Sequence, residues 1–334
     1  MSTLTPLPQE DQSLDLALRP KRWGEFVGQE KIKQNLRVLL EAAKRRKEPP
    51  DHLLFCGPSG LGKTTLAYIV AEELGAPLRV TSGPAIERLG DLAAILTNLE
   101  PGEVLFIDEV HRLNKLVEEL LYPALESRRL DLVIGKGPSA RTLRLDLHPF
   151  TFIGATTRLS LLSSPLRSRF GATFRLDFYS LDDMQAILER SARILGLQMT
   201  AKALLALAQT SRATPRVANR LLKRTRDVAQ LAGVKTITPE VIRETLHMLE
   251  VDEQGLEAAD RRILEAVIEK FGGGPVGIGA LAAATQEERD TIEDVYEPYL
   301  LQLGFLARTP RGRVATKLAY THLGKKFRAG QLSL

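Results

Sequence analysis

The sequence predicts a three-part protein: an α/β core with a parallel sheet and helices on both faces, a small helical domain, and a C-terminal winged helix. Three observations carry this. In the first half, short runs that are apolar throughout, such as Leu53–Cys56 and Val104–Ile107, alternate with helical stretches. Strands without polar alternation are buried on both faces, as in parallel sheets. After about Asp182 the apolar spacing becomes helical throughout. Near the C-terminus, three helical stretches precede two short runs flanking Thr309-Pro310-Arg311-Gly312, the pattern of a winged helix. The boundaries expected are a leader over 1–20, the α/β core over 21–182, the helical domain over 183–252 and the winged helix over 253–334.

Residues 1–20 form a short polar leader ending at Leu18-Arg19-Pro20. Gly28–Lys47 reads as a helix because Ile32, Leu36, Leu39 and Leu40 share one face, and Pro49-Pro50 stops it. Leu53–Cys56 is the first strand, and a glycine-rich turn leads into a helix over Thr64–Leu74, closed by Gly75 and Pro77. Strand Leu78–Thr81, helix Ile86–Leu99, strand Val104–Ile107, helix Lys115–Leu125 and strand Thr151–Gly154 follow. Leu130–Ile134 and Arg141–Leu145 flank Gly135-Lys136-Gly137-Pro138, a β-hairpin inserted near 130–145. Its alternating Leu132, Ile134, Leu143 and Leu145 leave one face available to a partner. Helices then cover Met184–Leu195, Ala201–Gln209, Pro215–Ala232 and Pro239–Leu249. Thr214-Pro215 and Thr238-Pro239 each place a hydroxyl before a proline at the first helical position. The last part has helices over Arg261–Phe271, Gly279–Ala284 and Asp290–Leu301.

Composition narrows the class. Hydrophobic residues make up 44% and charged residues 26% of the 334, enough for a buried core and unlike a disordered chain. No apolar run approaches the roughly 20 residues of a membrane span. The N-terminus has the features of neither a secretory signal nor a transit peptide. The single cysteine, Cys56, excludes an intramolecular disulfide and a cysteine-cluster metal site, and a cytoplasmic setting is expected. The five histidines have no metal-ligand spacing. Net charge is +5, unevenly distributed. Gly304 to the C-terminus holds seven Lys/Arg and no acid, and Arg212–Arg226 holds six and no acid, so polyanions are expected at defined places.

Gly57-Pro58-Ser59-Gly60-Leu61-Gly62-Lys63-Thr64 is a complete phosphate-binding loop between a strand and a helix. Gly57, Gly60 and Gly62 let backbone N–H groups turn toward phosphate oxygens, and the following helix N-terminus favours the anion. Lys63 can reach the β- and γ-phosphates, and the Thr64 hydroxyl can ligate Mg²⁺. Asp108-Glu109 ends the third strand, at the mouth of the sheet where such folds bind ligands. Asp108 would support the metal through its water shell, and Glu109 would take a proton from the attacking water. In Gly154-Ala155-Thr156-Thr157-Arg158 a hydroxyl, assigned to Thr156, would lie between the γ-phosphate and that water.

Together with Ser164-Pro165-Leu166-Arg167-Ser168-Arg169-Phe170, these motifs resemble those of AAA+ ATPases. Thr81–Ile86, Gly90–Leu99, Phe271–Gly277, Thr291–Tyr299 and Arg308–Arg313 narrow the resemblance to the RuvB family of bacterial Holliday-junction branch-migration motors. It runs from about Arg19 to Thr316. The resemblance implies an ATP- and Mg²⁺-dependent AAA+ core, a helical lid and a DNA-binding winged helix in a homo-hexameric ring. Such a ring draws duplex DNA through a four-way junction held by a RuvA-like protein, here expected at the hairpin, with a RuvC-like resolvase as a further partner. It also implies that Leu18 and Arg19 contact the base region of ATP, that Gly60, Lys63, Thr64 and Thr65 hold phosphates and metal, and that Tyr179 and Arg216 approach from the lid. Arg169 would be an arginine finger acting on the neighbouring subunit, and Arg289, Arg308, Arg311 and Arg313 would meet DNA. Ser59 stands where the family usually has proline, and little effect is expected. Glu126-Ser127-Arg128-Arg129 is more basic than the usual stretch. A phosphate-loop metabolic kinase would need no finger in trans, and a non-catalytic ATP-binding module would need none of Glu109, Thr156 and Arg169.

Overall fold

The computed structural model describes residues 9–134 and 141–327, the side chains of 9–13 and 132–134 excepted. Among these the chain forms two compact units: 9–57 with 61–177, and 58–60 with 178–327.

The first unit is built on a five-stranded parallel sheet. In chain order its strands are β1 (Leu53–Cys56), β2 (Leu78–Ser82), β3 (Val104–Asp108), β6 (Thr151–Thr156) and β7 (Ala172–Arg175); their spatial order is β2-β3-β6-β1-β7. β1 and β6 are buried along their whole length, β1 as an unbroken apolar run and β6 with a buried threonine at each end. β7 is a strand the sequence does not announce. Its alternating exposure is that of an edge strand covered on one face, and an isolated Ala-Thr-Phe-Arg carries little apolar signal. The leader likewise contains a helix, α1 (Gln9–Leu18), which is weakly amphipathic and therefore reads as polar coil.

Helices α2 (Glu30–Arg46) and α3 (Lys63–Leu74) follow as expected from their apolar faces. α4 (Leu89–Thr97) is shorter than its periodicity suggests, because Gly83–Ala85 forms a separate turn before it. α5 (Lys115–Ser127) starts where Asn114 accepts the Val117 N–H at 2.9 Å, a side-chain N-cap. Leu92, Leu96, Val117, Leu121 and Ala124 from α4 and α5 pack on Leu54, Leu105, Ile107 and Phe152 of the sheet. The inserted hairpin is present as β4 (Arg129–Ile134) and β5 (Arg141–Asp146), paired with Leu130 opposite Leu145 and Leu132 opposite Leu143. Its turn at Gly135–Pro138 lies outside the described residues.

The second unit opens with α6 (Leu181–Ile194), α7 (Ala201–Gln209), α8 (Pro215–Leu231) and α9 (Pro239–Met248). Strands do not vanish after Asp182: Gln198–Met199 pairs in parallel with Thr236–Ile237, two residues each and too short to leave a sequence signal. Further along, a second core gathers Leu256, Ile263, Leu264, Val267, Leu281, Ile292, Leu300 and Leu306. The wing is an antiparallel pair, Leu306–Thr309 with Gly312–Ala315, so Thr309-Pro310-Arg311-Gly312 makes the reversal. Gly312 (φ 138°) is required there, since a Cβ would stand 2.4 Å from the Val276 carbonyl oxygen.

Candidate active site

The phosphate loop joins β1 to α3. Gly57, Gly60 and Gly62 all have positive φ, which a side chain would resist. At Gly57 a Cβ would lie 2.5 Å from the Leu176 carbonyl oxygen, so glycine is the only residue that fits. Lys63, at the first turn of α3, is buried, and its Nζ donates to the Gly57 carbonyl at 2.7 Å, arching over the loop. The Thr64 hydroxyl donates to Asp108 Oδ2 at 3.1 Å, and the Glu109 N–H donates to Asp108 Oδ1 at 2.9 Å. Two oxygen donors at the C-terminal mouth of the sheet match the hard-cation chemistry of Mg²⁺, which binds one or two protein oxygens and keeps its waters.

Glu109 sits in the left-handed region (φ 49°). A non-glycine residue held there stores strain, a feature that clusters at functional sites. Gly83 packs close beside it: a Cβ there would be 2.4 Å from the Glu109 carbonyl oxygen. The Glu109 carboxylate pairs with Arg112 at 3.2 Å, both groups remaining about half exposed, so it can swing.

Leu18 is buried, and the Arg19 guanidinium lies over the Tyr68 ring of α3, 4.6 Å from its centroid. Arg19 is thus anchored on the helix that follows the loop, and Thr65 lies in that helix beside Thr64. The tip of the loop, Pro58–Gly60, groups with the second unit, and there Arg216 meets it. Arg216 Nη1 donates to Ser59 Oγ at 2.9 Å and its N–H to the Gly60 carbonyl at 3.4 Å. Ser59 therefore makes a side-chain hydrogen bond that a proline could not make. Tyr179 is buried, its N–H on the Ala213 carbonyl at 3.1 Å.

Thr156 requires a correction. Successive side chains of a strand point to opposite faces. Thr156 is in register with Cys56, and Gly154 with Leu54 and Ile107, which face α4 and α5. Asp108, next to Ile107, is on the other face. Thr156 is fully buried, and its Oγ1 accepts the Arg158 N–H at 3.0 Å and bonds His111 Nδ1 at 3.0 Å. Continued one residue past the end of the strand, the alternation would bring half-buried Thr157 to the Asp108 face. Counting by two from Asp108 across the sheet is the signal that could have chosen between the adjacent threonines, but it needs the register.

Arg169 is held within its own chain. Its Nη2 donates to Glu126 at 2.8 Å, its Nη1 to the Pro165 carbonyl at 3.0 Å and to Ser168 Oγ at 3.1 Å, and its guanidinium lies 5.4 Å from the Tyr122 ring centroid. An open cavity of about 560 Å³ adjoins it, lined by His52, Glu126, Arg128 and Phe170 among others. The atypical Glu126–Arg129 stretch thus makes local contacts: Glu126 to Arg169, and Arg129 to Asp146 at 3.2 Å.

The four arginines expected at DNA divide. Arg311 is exposed at the wing tip, and exposed Arg289 lies across Gly279. Arg308 donates to Glu297 Oε2 at 2.6 Å with its side chain more than half exposed. Arg313 turns inward: it donates to Glu293 at 2.7 Å and to buried Glu297 at 2.9 Å, with its side chain 12% exposed. Burial pushes the Glu297 carboxyl up, but the hydrogen bonds from Arg308 and Arg313 outweigh it and hold the group below the usual carboxylate range. Arg313 is thus a counter-ion beneath the wing rather than a free phosphate ligand, which corrects its assignment.

Known proteins resemble this chain in all three of its parts. A family model described as "Holliday junction DNA helicase RuvB P-loop domain" matches residues 18–176. Models of the RuvB AAA lid domain and the RuvB C-terminal winged helix domain match 179–252 and 253–324. The chain is 60% identical over 325 residues to the Holliday junction branch migration complex subunit RuvB of Chloroflexus aggregans, covering 97% of this chain and 93% of the relative. Against the subunit of the same name from Chloroflexus aurantiacus it is 60% identical over 318 residues, 95% of this chain and 91% of the relative. A solved structure, the Thermotoga maritima RuvB Holliday junction branch migration motor, superposes with a TM-score of 0.87 at 50% identity, covering 93% of this chain and all of that one.

Proposed function

The chain belongs to the RuvB family of Holliday junction branch-migration subunits, and from that premise we propose how its residues perform ATP-driven branch migration. It is an AAA+ ATPase and a branch-migration motor. The observation that carries the reading is the convergence of Lys63, Thr64, Asp108 and strained Glu109 at one mouth of the sheet.

The loop amides and Lys63 bind the β- and γ-phosphates, Lys63 exchanging its bond to Gly57 for a phosphate oxygen. Thr64 and Asp108 would hold Mg²⁺, which would supply charge neutralisation at the phosphates. Glu109 leaves Arg112 and takes the proton of the attacking water at its carboxylate. Thr157, on the Asp108 face, presents its hydroxyl toward the γ-phosphate. Arg216, seated on Ser59 and Gly60, reports from the lid, and Arg169 acts on the nucleotide of the next copy in a homo-hexameric ring. The domain division is a core to 182, a lid over 183–252 and a DNA-binding winged helix from 253. Arg289, Arg308 and Arg311 meet duplex DNA, and the hairpin engages a RuvA-like junction-binding protein. A RuvC-like resolvase would act on the same junction, and the setting is cytoplasmic.

A synthetic four-way junction tests this. With ATP, Mg²⁺ and a RuvA-like partner the wild-type chain is expected to migrate the branch. Glu109→Gln is expected to retain nucleotide binding and to stop both hydrolysis and migration. Wild-type turnover by Glu109→Gln, or no migration by the wild type, would overturn the reading.

A further inference from the structure

Thr156 is a node in the first unit. Its carbonyl accepts the Gly57 N–H at 3.1 Å, which ties it to the start of the phosphate loop. Its hydroxyl accepts the Arg158 N–H at 3.0 Å, closing the turn that carries Thr157. The same hydroxyl bonds His111 Nδ1 at 3.0 Å. His111 stands two residues after Glu109, in the Val110–Arg112 turn that follows the strained backbone. One buried residue, through its carbonyl and its hydroxyl, thereby joins three segments that the proposed hydrolysis needs in register: the loop, the turn bearing the base, and the strand end preceding Thr157.

We infer that His111 is a positioning residue for ATP hydrolysis, acting through Thr156 to set the spacing between Glu109 and Thr157. The inference rests on the proposed hydrolytic reading. The Glu109 backbone is strained and its carboxylate reaches a half-exposed arginine, so a fixed point in the turn that follows would set where the carboxylate stands. The fixed point is the His111–Thr156 bond, because Thr156 is 0% exposed and anchored at its carbonyl as well as its hydroxyl. Within that bond Nδ1, the nitrogen nearer the backbone, is the atom used. An asparagine amide can reach the place of Nδ1, whereas a glutamine amide extends toward the place of Nε2. Misplacement of a catalytic group by about 1 Å costs on the order of a hundredfold in rate, so loss of the tether should appear in kcat.

The test uses the full chain with duplex DNA and measures kcat, KM for ATP and thermal unfolding for His111→Ala, His111→Asn, His111→Gln, Thr156→Val and the pair His111→Ala with Thr156→Val. The expected result is a kcat lowered about 10- to 100-fold in His111→Ala and Thr156→Val, with KM little changed. His111→Asn should recover most of the rate and His111→Gln should not. The double variant should be no slower than the worse single one, as for two ends of one interaction. Wild-type kcat in His111→Ala, multiplicative losses in the double variant, or equal impairment by asparagine and glutamine would overturn the inference. Should His111→Ala not fold, the asparagine–glutamine contrast decides it. If the wild type hydrolyses ATP and Glu109→Gln does not, while His111→Ala matches the wild type, only this inference falls. Without hydrolysis by the wild type both readings fall.

Discussion

His52 shows how one residue can set a pH limit. It packs against Phe150 and Phe152, its Nδ1 accepts the Phe152 N–H at 3.0 Å, and its Nε2 lies 3.1 Å from the Leu125 carbonyl. That pairing requires the neutral ring with its proton on Nε2; a second proton on Nδ1 would face the amide hydrogen. Burial pushes its pKa below the usual histidine value, outweighing the Leu125 carbonyl and Asp51, which favour the charged form. A depressed folded pKa means stability that is complete above the unfolded value of about 6.5 and declines as pH falls toward the folded value. Thermal stability of the wild type is therefore expected to fall on acidification from neutral to mildly acidic pH. The slope should diminish in His52→Gln, measured by the melting midpoint at each pH. Ser59 makes a related point. It looked interchangeable in a loop read for its backbone, yet its hydroxyl receives Arg216.

At the scale of elements, the wing separates arginines that sequence makes equivalent. Arg308, Arg311 and Arg313 are spaced within six residues, but Glu293 and Glu297, from the preceding helical segment, engage Arg313 and leave Arg311 exposed. Removing one phosphate contact should flatten the slope of log K against log salt by about 0.9. Arg311→Ala is expected to show that change on unrelated duplexes alike. Arg313→Ala should instead lower the stability of the winged helix, because it leaves Glu297 buried without one of its two partners. A full salt-slope change from Arg313→Ala with no loss in melting temperature would restore it as a direct ligand. The hairpin divides in the same way. Leu130 is fully buried and Leu145 packs on the core, whereas Leu143 is 43% exposed. Leu143→Ser is expected to weaken partner-dependent loading on junctions while sparing basal ATPase, and equal loss of both would point to a purely structural strand.

For the whole molecule, the strongest consequence is action between copies. Arg169 is fastened to Glu126 and to the Pro165 carbonyl on its own chain, with an open cavity beside it. In the proposed head-to-tail ring this segment would reach the next copy's nucleotide, where an arginine finger contributes on the order of 10³–10⁵ in rate. Arg169→Ala and Lys63→Ala are each expected to be inactive alone. Mixtures should recover part of the ATPase at concentrations that assemble rings. Mixtures as inactive as either variant would favour a structural ion pair.

The sequence alone determined the reaction class and the order of parts. The phosphate loop, the Asp108-Glu109 pair and the apolar strands are local signals: the chemistry requires those residue types within a few positions, and a buried parallel strand must be apolar. The same locality explains what it missed. An edge strand such as β7 and a two-residue strand pair hold too few residues to show a period. Only the tertiary structure decided that Thr156 faces away from Asp108, because a shift of one residue in a strand reverses its side chains. It alone decided that Arg313 is a counter-ion, that Ser59 receives Arg216 and that His111 meets Thr156 across 45 residues. Each of these is a pairing made by register and burial between segments distant in the chain, and no local pattern encodes the partner.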